Sequence, residues 1–177
     1  MILIMKQNEI EELIKKKFDL KKIPDFYKED FCLERKQVIS FFYGKRWDEI
    51  SLEDFLEYDN NADMSALLSL LPLDYYIYYF KTFLIVSLKN CKQLGLLCDS
   101  IFYSFHLKFS DGTVNELAKE RLNLLSKEQL EVILHYLDYM EKTYCGIVDD
   151  WGIEEARKSI IHTLASKEGK AKVRFCF

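Results

Sequence analysis

Residues 73–89 read LDYYIYYFKTFLIVSLK. At 100° per residue, Tyr75, Tyr76, Ile77, Tyr78, Phe80, Phe83, Leu84, Ile85 and Leu88 leave no broad polar face. A helix that is apolar all round is buried on all sides, so this stretch predicts a central helix with the rest of the chain wrapped about it. Outward from it, Pro72 ends a short apolar helix at residues 64–71. Before that, FFYGKRW (41–47) stops a helix over residues 33–43 at Gly44, the residue suited to a left-handed position after a helix end. Trp47 and Ile50 are expected to pin the turn to the core. Ser51 and Asp54 have the spacing of a capping box, opening a short helix that buries Leu52, Phe55 and Leu56.

The flanks read the same way. Ile10, Leu13, Ile14 and Phe18 recur at helical spacing over residues 8–18, with Asn8 as the expected cap. Pro24 breaks the chain after them. Downstream, helices are predicted at 96–108, at 113–124 with Thr113 capping, at 127–144 opened by a Ser126/Gln129 capping box, and at 153–166. Only residues 173–177 look strand-like. With 6 Gly and 2 Pro in 177 residues, turn residues are too few for a many-stranded β fold. The expectation is an all-α protein: one compact domain spanning residues 1–177, with seven to nine helices around the aromatic one at 73–89. Within it, residues 1–24 carry an N-terminal helix that packs loosely, and residues 167–177 form a basic tail with an apolar end.

Composition narrows the function classes. No apolar run reaches the roughly 18 residues of a membrane span, and the opening MILIMKQNEIEEL turns acidic after five apolar residues, unlike a secretion signal. Five cysteines without a C-x-x-C pattern predict reduced thiols in a cytoplasmic setting rather than a disulfide framework or thiolate zinc site. The net charge of −4 lacks the basic footprint of nucleic-acid binding and leaves room for a basic protein partner.

The clearest chemical feature is acidic. From Asp48 to Asp63 there are seven carboxylates and no Lys or Arg. Negative charge in a first helical turn stabilises it by about 0.3–1 kcal/mol, which accounts for Glu53 and Asp54 but not for Glu57, Asp59 or Asp63. Like charges at i, i+4 cost about 0.2–0.5 kcal/mol, small enough for an ordinary solvated face. The functional reading is a patch, comprising Glu49, Glu53, Glu57, Asp59 and Asp63, that steers a basic partner and raises its on-rate.

Other candidates are weaker. His135 shares a polar helix face with Glu128, Glu131 and Asp138; one Glu-x-x-x-His pair supplies two ligands where zinc takes three or four. His162 falls on the polar side of its helix. His106 shares a stripe with Asp99, which would orient an imidazole, but no nucleophile accompanies them. Cys98 reads as a buried thiol beside Phe102 and Phe105. Asp149, Asp150, Glu154 and Glu155 read as the charged start of a helix. The tyrosines at 75, 76, 78 and 79 lack the interleaved basic residues of a base-stacking surface and read as core. No catalytic residues, metal site or cofactor are expected.

The set Phe42-x-Gly44-x-x-Trp47-x-x-Ile50, then the aromatic block YYIYYFKTFLIVSL, then Arg121-Leu122 with Leu125-Ser126-x-x-Gln129, resembles a family of uncharacterised bacterial all-helical proteins over residues 33–140. The resemblance implies a helical fold and bacterial origin and carries no assigned activity. Lys81 departs from it, standing where that family carries a Leu-Pro step, and implies a straighter helix here. Small acidic helical proteins of this kind resemble immunity proteins, which block a secreted toxin. The expected function is therefore a non-enzymatic binding protein that neutralises a basic toxin domain, such as a nuclease. The alternatives are a scaffold assembling through apolar surface that includes residues 170–177, and an enzyme with a dispersed site.

Overall fold

The computed structural model describes residues 5–20, 22–25, 32–59 and 63–174, with side chains to residue 168. Among these residues the chain is all-helical: α1 (Gln7–Lys17), α2 (Leu33–Phe42), α3 (Leu52–Asp59), α4 (Ala66–Ser69), α5 (Leu73–Leu94), α6 (Leu96–Tyr103), α7 (Glu116–Leu124), α8 (Lys127–Thr143) and α9 (Asp150–Arg174), with a single 3-10 turn at Trp47–Glu49. The only extended pairing among them is an isolated antiparallel bridge between Lys108 and Val114.

α5 is the axis. Every residue from Tyr75 to Leu88 is buried except Ile77, which is half-buried, and α1, α3, α6, α7, α8 and the 3-10 turn all pack against it. The helix runs unbroken through Lys81 and is interrupted only at Asn90, whose backbone leaves the helical region (φ −133°, ψ 27°). Aromatic rings supply much of the cement. Phe83 lies 5.8 Å from the Phe42 ring and 5.5 Å from Phe55, and Phe80 meets Phe105 edge-on at 5.5 Å. Such offset and edge arrangements add about 0.5–1.5 kcal/mol per pair beyond area burial.

The turn before α3 is held by polar side chains of α5. The Tyr79 hydroxyl lies between the carbonyls of Phe42 (2.8 Å) and Lys45 (2.7 Å), with one proton to give to either. Thr82 Oγ1 donates to the Trp47 carbonyl at 3.0 Å. Gly44 takes φ +72°, the left-handed step that a side chain would oppose. Both capping boxes form: Asp54 N donates to Ser51 Oγ and Ser51 N to Asp54 Oδ2, and the Ser126/Gln129 pair repeats the pattern.

Several elements differ from the sequence expectation. The N-terminal helix packs tightly, with Ile10, Ile14 and Phe18 fully buried against α5 and α8. Its first turn is closed by Glu9, whose carboxylate accepts the Lys6 amide at 2.7 Å, rather than by Asn8. α6 ends at Tyr103, five residues short of the expected end, and α7 is capped by Asn115, which accepts the Ala118 amide, because Thr113 is engaged by Asp111. α9 continues to Arg174 through most of the expected tail; residues 175–177 lie outside the described residues.

Candidate functional site

Two carboxylates of the acidic segment are held by the basic residues just before it. Arg46 grips Asp48 through two hydrogen bonds, Nε to Oδ1 (3.0 Å) and Nη2 to Oδ2 (2.7 Å), and holds its carboxyl below the usual range. Lys45 pairs with Asp54 at 3.2 Å. Burial pulls the Asp54 carboxyl upward, but the Ser51 hydrogen bonds and Lys45 outweigh it and leave it lowered. The protein thus neutralises these two carboxylates itself. Glu49, Glu53, Glu57 and Asp63 are exposed. Glu49 accepts the Arg46 amide (2.7 Å) and Asp63 the Ser65 amide (2.8 Å), contacts that fix their positions while keeping their charge. Asp59 closes α3; its side chain lies outside the described residues.

Glu53 and Glu57 are four apart on α3 and so share one side of that helix. The negative field extends beyond them. Burial first, then the charges of Asp63 and Glu34, raise the Tyr58 phenol, so α2 contributes an exposed carboxylate to the same neighbourhood.

The histidines do not converge. His135 and His162 are exposed on α8 and α9. His106 is nearly buried, its Nε2 2.9 Å from the Gly152 carbonyl and its ring edge-on to Tyr103 and Trp151. The Asp99–His106 pairing suggested by their shared stripe is not made. α6 stops before His106, and Asp99 Oδ1 accepts the Asp149 amide at 3.0 Å instead. Asp149 opens α9, accepting the Trp151 amide (3.1 Å) and the Tyr103 hydroxyl (2.5 Å). Among the described residues no three His, Cys, Asp or Glu side chains are grouped to hold a metal ion, and no helix is long and apolar enough to cross a membrane.

Cys91 and Cys98 are both buried and face each other across the Gly95 break. Contact with Cys91 first, and burial second, push the Cys98 thiol up, which keeps it protonated and unreactive.

Two buried cations escaped the sequence reading. Lys81 is 1% exposed, with Nζ 4.0 Å from the Trp47 ring centroid. Arg121 is 3% exposed and stacks its guanidinium 4.2 Å from the Tyr76 ring. The phenol of Tyr76, pushed up to about 12 by burial, makes no well-formed hydrogen bond of its own. The Ser104 hydroxyl near it donates to the Ile101 carbonyl. A buried cation is a sequence signal only where its acidic partner is nearby in the chain; neither residue has one.

The chain matches no family model, no curated protein and no solved structure.

Proposed function

We propose that this chain is a non-enzymatic binding protein that docks a basic protein domain on the α3 ridge, the partner being a toxin that the chain neutralises in the manner of an immunity protein. The observation that supports this reading is the division of charge along residues 48–63. The protein's own Arg46 and Lys45 reach Asp48 and Asp54, whereas Glu49, Glu53 and Asp63 have no ion pair among the described residues and point outward. Carboxylates at this density raise the local concentration of a positively charged partner and accelerate encounter, an effect that fades as salt shortens the Debye length to about 10 Å at 0.1 M.

The roles divide by position. Glu53 and Glu57, adjacent on α3, supply long-range attraction. Glu49 and Asp63, tied by backbone amides at either end, supply fixed acceptors whose geometry costs little further entropy on binding. Affinity capture from the native host, run in parallel with the wild type and with Glu53→Lys/Glu57→Lys, tests the reading. A basic protein retained by the wild type at low salt and lost by the double variant is the expected result. With that partner in hand, association measured by stopped flow should slow by about tenfold or more in the variant and lose most of its salt dependence. Retention of the same proteins by both forms would remove the ridge as the docking surface.

A further inference from the structure

Arg121 poses a problem of charge that the surrounding chain leaves half-solved. Burying an ionised side chain is expensive unless an opposite charge and hydrogen bonds compensate it. Here burial lowers the guanidinium pKa, opposed only by the adjacent Tyr76 phenol, itself neutral at ordinary pH; no carboxylate takes part. The hydrogen bonds of the guanidinium leave from Nη2 alone, toward the carbonyls of Leu68 (2.8 Å), Ser69 (3.4 Å) and Leu71 (3.4 Å). These belong to the end of α4, where carbonyls lack helical partners and carry partial negative charge. Nε, fully buried, donates to nothing among the described residues. The carbonyls and the ring of Tyr76 account for one edge of a five-donor group.

The same arginine forms part of the wall of an open cleft of about 350 Å³ between α4, α6 and the start of α7. Among the described residues no Asp or Glu lines this cleft; the nearest carboxylates sit behind its rim, Asp63 on the Ser65 amide and Asp149 on the Tyr103 hydroxyl. Its polar side holds donors with room to act. The Ser65 and Ser69 hydroxyls make no hydrogen bond among the described residues. Asn115 has its oxygen engaged by the Ala118 amide, which leaves its NH₂ group to donate. By contrast, Ser100 and Ser104 already donate to helix carbonyls. The other side is apolar, with Leu68 at the back and Tyr103, Phe109 and Leu117 exposed toward solvent. A concave site that is mostly apolar, with a few convergent donors and one cation, is the usual form of a small-molecule pocket.

We propose that this cleft binds a small organic oxyanion. Its carboxylate or phosphate head would meet Arg121 with Ser65, Ser69 and Asn115, and its apolar body would lie against Tyr103, Phe109 and Leu117. The volume bounds the ligand to a small molecule, and the lack of acidic lining selects an anion over a cation or neutral species. The site shares with the acidic ridge only the contact of Asp63 with the Ser65 amide, and none of the residues varied to test one is varied to test the other, so either can fail without the other.

Benzoate, phenyl phosphate and neutral benzyl alcohol are the probes, titrated into the wild-type protein while following the Arg121 Nε–H resonance by NMR and heat by calorimetry. Saturable binding of one of the two anions at a Kd of about 1 mM or tighter, with movement of that resonance, is expected, and benzyl alcohol should bind at least about tenfold more weakly. Inorganic phosphate, run alongside, separates recognition of the head group alone from recognition of head and body together; tighter binding of phenyl phosphate than of phosphate is expected. Arg121→Met should abolish anion binding. Because that variant also loses the α4 contacts, Leu117→Glu, an exposed change at the mouth, provides the second arm and should weaken the anion by about tenfold through like-charge repulsion. Benzyl alcohol binding as well as the tighter of the two anions, an unmoved Arg121 resonance, undiminished affinity in Leu117→Glu, or no saturation by either anion would each overturn the proposal.

Discussion

Lys81 shows how one residue sets a local balance. Its ammonium is lodged in the wall of the central helix against Trp47, an attraction of about 0.5–2 kcal/mol depending on desolvation. Burial opposes this and lowers the lysine pKa, with the charges of Asp19 and Asp48 resisting the fall only in part. The charged form is therefore penalised in the fold relative to the unfolded chain. That penalty is fully present below the folded pKa and disappears as pH rises toward the ordinary lysine value of 10.5. The unfolding free energy of the wild type, measured against Lys81→Met by urea denaturation, should thus improve as pH is raised from neutrality toward that value. A gap between the two proteins that stays constant across the range would show that the ammonium is solvated in the fold. The comparison cancels the tyrosines, which titrate in both proteins.

At the scale of elements, the determining fact is that α5 is enclosed from Tyr75 to Leu88, with Ile77 alone half-buried in that stretch. Phe83 is 1% exposed and wedged between Phe42 of α2 and Phe55 of α3. Phe83→Ala should cost about 3–5 kcal/mol, a large share of the roughly 5–15 kcal/mol total expected of a domain. Phe41→Ala, at a half-buried ring on the outer side of the same cluster, should cost clearly less. Urea midpoints with an unchanged slope would show this; equal losses would mean that the two rings share one environment. The periodicity that identified α5 was legible because its cause is local, as were both capping boxes, whose partners lie within four residues. The end of α6 was not legible. His106 leaves the helix to reach the Gly152 carbonyl 46 residues away, and no window of sequence around it contains that acceptor. Thr113 was misread as a cap because Asp111, two residues before it, takes both its amide and its hydroxyl. In the acidic segment the density of charge could be read directly, but that Asp48 and Asp54 are the ones neutralised depended on where Arg46 and Lys45 reach. The Arg121 cleft was invisible, since it brings together α4, α6 and α7 across some 50 residues.

Across the described residues, ion pairs lie toward the surface and most phenols lie inside. Glu11 joins Lys15 of α1 to Lys89 of α5, and Arg157 of α9 bridges Asp138 and Glu141 of α8. Pairs still partly open to solvent, such as these, contribute on the order of 1 kcal/mol each and serve to set registry more than stability. The buried tyrosines couple the fold to alkaline pH far more strongly. Tyr76 in α5 is pushed up to about 12 by burial, and Tyr79 and Tyr136 are raised by the same cause. Tyr103 reaches about 12 chiefly because it donates to Asp149. In each case the folded value lies above the unfolded value of about 10, so the neutral phenol stabilises the fold. That contribution is intact below pH 10 and is lost as pH climbs from 10 toward 12, where the unfolded chain releases protons the folded chain retains. Because the buried phenols of Tyr76, Tyr79 and Tyr136 sit on α5 and α8 in one core, their ionisation should not proceed residue by residue. Alkaline titration followed by phenolate absorbance and by helical circular dichroism should show the buried tyrosines ionising together with the loss of helix, in one cooperative step above pH 10. Smooth ionisation of all 11 tyrosines near pH 10 with the helical signal intact would mean that water reaches the centre of the molecule, and that α5 is not enclosed as the packing requires.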